Sequence, residues 1–226
     1  MEDVREPRPG TVPDMDSALA DLERGACALG LALSKKQLAQ FEGYLGTLLL
    51  WGRRLSLTGA TTERELVRQH ILDSLPAARF VSPHYHVADL GSGAGFPGIP
   101  LAIACPAASA TLVESRRKRA NFLREVARSA RLENVEISED RAELIAKERP
   151  AAYDVVISRA VWDTVDFLRV GAPLLKLGGV AIAMKGPKTA TGITSPGFSA
   201  PEVVRYSIPD GIEHVLVVYR RRMRET

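Results

Sequence analysis

Asp89, Gly91, Gly93 and Gly95 stand in the run VADLGSGAGFPG (residues 87–98), and 19 residues beyond Gly95 stands Glu114, at the end of a second apolar run. Where a short apolar segment feeds alternating glycines, the chain can turn sharply and a ligand can approach bare backbone. Pro97 and Pro100 flank a helix start, a place where proline forfeits no hydrogen bond. That helix is expected to offer unpaired N–H groups at its N-terminus. An acid placed like Glu114 can accept hydrogen bonds from both hydroxyls of a ribose. The predicted chemistry is the binding of a nucleotide-type cofactor.

The dinucleotide fingerprint G-x-G-x-x-G fails here, because the sixth position from Gly91 is Phe96. What stands instead is an acid, Asp89, two positions before G-x-G-x-G. That order resembles the first motif of class I methyltransferases, which bind S-adenosylmethionine. A carboxylate so close repels a pyrophosphate and attracts the cationic methionine end of that cofactor.

These residues need a sheet to hold them. Apolar runs near 86–90, 110–114, 134–138, 153–158 and 179–184 alternate with helical patterns near 98–104, 116–130, 140–147 and 164–175. The alternation predicts an α/β fold with a doubly wound, mostly parallel sheet. Runs near 202–208 and 213–219 suggest an antiparallel end pair, and residues 186–201, rich in Gly, Ser, Thr and Pro, read as a long loop or lid. Residues 17–75 read as an N-terminal helical region, with capping boxes at Ser34/Gln37 and Thr62/Glu65 and a boundary at Pro76. Residues 1–16 mix charges and prolines and are expected to be a disordered tail. The remainder, 76–226, is expected to be the cofactor-binding domain.

Ligands of such sheets sit outside the C-terminal strand ends. There the fourth strand brings Arg159 and the fifth Lys185, cations suited to an anionic or carbonyl-bearing substrate. The place after the fourth strand holds SRAV, without the Asn/Asp-Pro-Pro-aromatic run of amino-group methylases. Cys105, at the far end of a helix before Pro106, reads as a small apolar filler and not as a nucleophile. With no acid–base pair in evidence, the expected reaction needs no deprotonation of its acceptor.

Two cysteines in 226 residues exclude a disulfide framework and point to a reduced, cytoplasmic setting; His84 and His86 lack metal-ligand spacing, so no metal is expected. No apolar run is long enough for a membrane span. The net charge of +3 is modest, but residues 115–131 hold seven Lys or Arg and one acid. Arg117, Arg124, Arg128 and Arg131 share one helical stripe, and the C-terminal end carries Arg220, Arg221, Arg222 and Arg224. Either cluster could meet RNA phosphates or simply face solvent.

Several segments together resemble one family, the small-subunit ribosomal RNA guanine-N7 methyltransferases, also called glucose-inhibited division protein B. They are WGRRLSLT (51–58), HILDSL (70–75), DLGSGAGFPGIPLAI (89–103), KRxxFL (118–123), LENVE (132–136), VISRA (156–160) and MKG (184–186), colinear over roughly residues 38–220. The resemblance implies a cytoplasmic enzyme with a Rossmann-like class I methyltransferase domain that methylates N7 of one guanine in 16S ribosomal RNA, free or in the small subunit. It implies cofactor contacts from Gly91 and Phe96, a ribose contact from Glu114, and Ala142 and Glu143 flanking the adenine. Arg159 would lie between cofactor and target base, and Lys185, Arg141 and His70 would make RNA or pocket contacts. The chain departs from the family's pattern at Ser56, where Asn is common, and at Glu213, where Arg often precedes His214. Two other readings of the residues remain open: a small-molecule methyltransferase with the N-terminal helices as a lid, and a non-catalytic RNA-binding assembly factor.

Overall fold

The computed structural model describes residues 15–60, 62–159, 163–186, 191–208 and 213–223. Residues 1–14 of the expected tail, Ala160, residues 187–190 of the expected loop and Arg224 lie outside them. Five parallel strands run in chain order: β1 (His86–Leu90), β2 (Ser109–Val113), β3 (Val135–Ser138), β4 (Tyr153–Arg159) and β5 (Leu175–Lys185). Strands β6 (Glu202–Ser207) and β7 (Glu213–Arg220) close the sheet in the order β3-β2-β1-β4-β5-β7-β6, with β7 antiparallel to both neighbours. The sequence order reverses between β1 and β4, so the crevice for a ligand opens at the C-terminal ends of β1, β2 and β4.

Both faces of the sheet are covered, and strand residues alternate between them with period two. Val87, Ile157 and Ile182 pack into one apolar cluster, while Ala88, Val156 and Ala181 pack into the other. The first cluster also contains Ala18, Leu22, Phe41, Tyr44 and Leu45 from α1 (Met15–Ala28) and α2 (Lys35–Leu55). The N-terminal helices therefore share one core with the sheet, packed beside α5 (Gly98–Ala104) and α6 (Arg117–Ser129). Helices α7 (Ala142–Glu148) and α8 (Thr164–Leu174) cover the opposite face.

Three expectations change. Met15 and Asp16, assigned to the tail, begin α1: Met15 packs on the core, and Asp16 places a negative charge in the first turn, where the helix dipole favours it. Pro76 does not end the N-terminal region. After α3 (Glu63–Leu66) the chain passes through a π-turn (Val67–Ile71) and α4 (Leu72–Ser74) into a 3₁₀ helix, Leu75–Phe80, where proline in the first turn costs nothing. In the 186–201 loop, the stretch Gly197–Ser199 is no lid. Phe198 is buried against Tyr219 and bridges to Arg221, beside the start of β5 and away from the crevice. Among the described residues no helix is long and apolar enough to cross a membrane.

Candidate active site

The glycine loop rises from β1 with Gly91, Gly93 and Gly95 all at positive φ (76°, 56° and 96°), backbone that side chains rarely adopt. At Gly95 a Cβ would meet Ile99 at 2.7 Å and the Tyr44 hydroxyl at 3.0 Å, so glycine is needed for packing as well. At Gly93 the nearest atoms to such a Cβ are 3.8 Å away, which leaves space on that side of the backbone. Tyr44, fully buried on α2, donates its hydroxyl to the Ala94 carbonyl at 2.7 Å and packs its ring on Phe96. An N-terminal helix thus braces the loop from below.

The helix N-terminus behind the loop differs from expectation. Asp89 Oδ2 accepts the Gly98 N–H at 3.0 Å, and Ile99 N–H donates to the Gly95 carbonyl at 2.8 Å. Those amides are satisfied within the loop, so this helix end is not an open anion site. The carboxylate that takes the Gly98 N–H is fully buried, and its other oxygen, Oδ1, has no partner. Burial raises the Asp89 carboxyl to about 7, against the lowering pull of bonds from Ser92 and Gly98. An unpartnered acceptor at the base of the loop suits a cationic group above it and disfavours a pyrophosphate.

Glu114, at the end of β2, is also buried. Its Oε2 accepts the Gly93 N–H at 3.1 Å and its Oε1 the Arg116 N–H at 2.8 Å. Each carboxylate oxygen has a second lone pair, so acceptor capacity remains for two hydroxyls. A cleft of about 370 Å³ lies against this carboxylate, lined also by Gly91, Arg119, Arg141, Ala142 and Glu143. The structure therefore brings together the glycine loop, Glu114 and the Ala142–Glu143 pair at the start of α7. Arg119 lines the same cleft, and nothing in its local sequence marked it out from the other cations of α6.

Arg159, at the top of β4, stands over the Phe96 ring, its guanidinium carbon 4.9 Å from the centroid. Its Nη1 donates to Asp73 Oδ2 and its Nη2 to His70 Nδ1, each at 3.2 Å. Burial, and then the charge of Arg159, bring the His70 imidazole down to about 4, so the ring is neutral at pH 7. Because arginine can only donate, His70 Nδ1 accepts and the ring proton sits on Nε2. Asp73 Oδ1 also accepts from Tyr206 Oη at 2.7 Å, and His214 Nδ1 lies 2.9 Å from the same oxygen. Sequence reasoning missed Asp73, Tyr206 and His214, which meet across more than 130 residues of chain.

Other candidates separate from this cluster. Lys185 ends β5 beside Asp163; partial burial lowers its ammonium and the Asp163 charge works the other way. In the α6 stripe, Arg124 pairs with Glu139 and Arg128 with Glu125. Arg220 sits opposite Val180, four residues below the Met184–Leu216 pair, or about 13 Å down the sheet at ~3.3 Å per residue. Arg221 hydrogen-bonds the Leu175 carbonyl. Arg220 and Arg221 of the arginine-rich end thus lie at the opposite edge from the crevice. Glu213, where the resemblance would have arginine, faces Arg205 at 3.6 Å across the β6–β7 hairpin.

A family model described as rRNA small subunit methyltransferase G matches residues 37–199. The chain is 41% identical over 206 residues to a protein named ribosomal RNA small subunit methyltransferase G from Xylella fastidiosa strain M23, covering 89% of this chain and 95% of that one. It is 40% identical over 208 residues to the protein of the same name from Stenotrophomonas maltophilia strain K279a, with the same coverage. Among solved structures it is similar in fold to a "predicted O-methyltransferase" from Agrobacterium tumefaciens (TM-score 0.54, 22% identity, 67% of this chain and 82% of that one). It is likewise similar to M. jannaschii TYW2 in complex with AdoMet (TM-score 0.52, 23% identity, 68% and 76%).

Proposed function

Since the chain belongs to the rRNA small subunit methyltransferase G family, we propose that it transfers a methyl group from S-adenosylmethionine to N7 of one guanine in 16S ribosomal RNA. The observation that carries the reading is the joining, at one sheet edge, of the loop over Asp89, the Glu114 cleft and the Arg159–Phe96 pair. When bound, the cofactor supplies an electrophilic methyl group on a sulfonium. The residues present fit it: Glu114 for the ribose hydroxyls, the Ala142 N–H and Glu143 for the adenine edge, and the Asp89 carboxylate for the charge of the methionine end.

Guanine N7 carries a free lone pair on its major-groove edge, so no base has to remove a proton before attack. The work left to the chain is orientation and charge placement. The Arg159 guanidinium, held by Asp73 and His70, has further N–H groups to offer the O6 carbonyl beside N7. Phe96, beneath it, provides an apolar face. The N-terminal helices do not favour a small-molecule enzyme with a lid: they are packed into the core and hold the loop through Tyr44.

The test is methyl transfer from labelled S-adenosylmethionine to small ribosomal subunits from cells lacking the protein, with the product mapped by cleavage chemistry selective for N7-methylguanine. One labelled guanine is expected. Cofactor binding without transfer to ribosomal RNA would overturn the reading.

A further inference from the structure

We propose that Asp73 is a positioning residue for methyl transfer, which fixes the Arg159 guanidinium over Phe96 and ties it to the C-terminal hairpin. The inference rests on Arg159 facing the acceptor base, as read above. Asp73 is 5% exposed, and a buried carboxylate is costly unless strong donors surround it. Arg159 of β4 and Tyr206 of β6 donate to it, and His214 of β7 lies 2.9 Å away, so groups from three strands surround it.

The hairpin register explains two of them. Tyr206 and His214 are directly paired residues of β6 and β7, so their side chains share a face, and their rings stack with centroids 5.7 Å apart at 23°. Tyr206 Oη and His214 Nδ1 both lie within 2.9 Å of Asp73 Oδ1, which leaves Oδ2 for the guanidinium. His70 lies three residues before Asp73, on the same helical face, and holds the other arm of the fork. A π-turn carries His70, an irregularity found more often at functional sites than elsewhere. Clamped at both Nη atoms, the guanidinium is fixed before substrate arrives. Packing alone would be served at lower cost by an apolar side chain of similar volume.

The experiment uses the full chain and unmethylated small subunits. Asp73→Asn keeps the shape and removes the charge; kcat is expected to fall about 10- to 100-fold, the cost of misplacing a contact group by roughly an ångström. Calorimetric affinity for S-adenosylmethionine should stay within about twofold of wild type, because Asp73 touches none of the cofactor cleft. Tyr206→Phe, which keeps the ring and its stacking, should lower kcat in the same direction by less. The deciding readout is coupling: in an Arg159→Ala background, neither change should lower kcat further. Losses that add to that of Arg159→Ala, or full kcat in both variants, overturn the positioning role. Should Asp73→Asn fail to fold, the Tyr206→Phe cycle decides alone. No transfer by the wild-type protein overturns the functional reading and this inference with it, whereas transfer with additive losses overturns only this one.

Discussion

Asp89 should make the protein less stable as pH rises towards neutrality, and Asp89→Asn should remove that dependence. The unfolded carboxyl loses its proton near 3.8, while the folded one, raised by burial, holds it to about 7. Between those values the unfolded chain binds fewer protons than the folded chain, so unfolding becomes easier as pH increases and the slope vanishes above about 7. From pH 5 to pH 8 the folded carboxyl spans about two units of that window, or roughly 3 kcal/mol at ~1.4 kcal/mol per unit. Urea denaturation of wild type and Asp89→Asn, without cofactor, at both pH values reads the effect directly. The variant should gain roughly 3 kcal/mol relative to wild type on going from pH 5 to pH 8. It should also bind S-adenosylmethionine more weakly at pH 8, since the negative charge facing the methionine end is gone. A stability difference that does not change with pH would refute the argument, because it would mean that the buried carboxyl carries no raised proton affinity.

Gly93→Ala and Gly95→Ala should part company. At Gly93 the added methyl meets no protein atom closer than 3.8 Å, so the fold should lose only about 1 kcal/mol for a left-handed alanine while cofactor affinity drops, as calorimetry would show. At Gly95 the methyl meets Ile99 and Tyr44 within 3.0 Å, and thermal unfolding should reveal a loss of about 2 kcal/mol or more. Glu114→Ala should weaken cofactor binding by about 1–3 kcal/mol and loosen the loop, because the Gly93 and Arg116 amides lose their acceptor; unchanged affinity would remove it from the ribose role. Replacing Arg117 and Lys118 together with alanine should raise the KM for ribosomal subunits, leave cofactor affinity unchanged and flatten the salt dependence of RNA binding by a slope of about 2. An unaltered salt slope would place the RNA elsewhere.

The parts of the site legible in the sequence were those set by local rules. The VADLGSGAGFPG run declares a strand, a turn and a helix start within 12 residues, and Glu114 follows from the next strand's length. The strand positions followed because apolar residues recur with the period of a buried strand. Local rules failed where partners are distant. Nothing near residue 73 says that its carboxylate will meet side chains from residues 159, 206 and 214. The helix after the loop looked open to an anion because its N–H groups are visible in the sequence, while the aspartate that takes one of them lies nine residues upstream. Likewise β5 begins at Leu175, four residues before the expected start at Gly179, because the strand passes through Gly178 at φ 78°.

The stability costs in this molecule are unevenly placed, and their placement is itself informative. At the C-terminal edge of the sheet lie three glycines at positive φ, a buried carboxyl with an unpartnered oxygen, a histidine held neutral against an arginine, and the buried Asp73. Helix α6 begins there with Arg117, Lys118 and Arg119, without an acid in its first turn or a side-chain cap, against its own dipole. The opposite edge has exceptions of its own, with His84, Arg131 and Ala151 at positive φ, but its charges form ordinary pairs, Arg149 with Glu136 and Lys176 with Asp154, at 2.6 and 2.8 Å. What gathers on one side is buried charge: Asp73, Asp89 and Glu114. A chain selected for stability alone would have no reason to bury carboxylates together there. Here the exceptions on that side fall into two adjoining groups: the loop with Glu114, which lines a cleft, and the Asp73–Arg159 cluster, which in the proposed function faces the acceptor. Phe96 joins them, its ring in contact with Tyr44, His70 and Arg159. In the proposed function a methyl group passing from donor to acceptor crosses near that ring, so a change at Phe96 should disturb both halves of the site together.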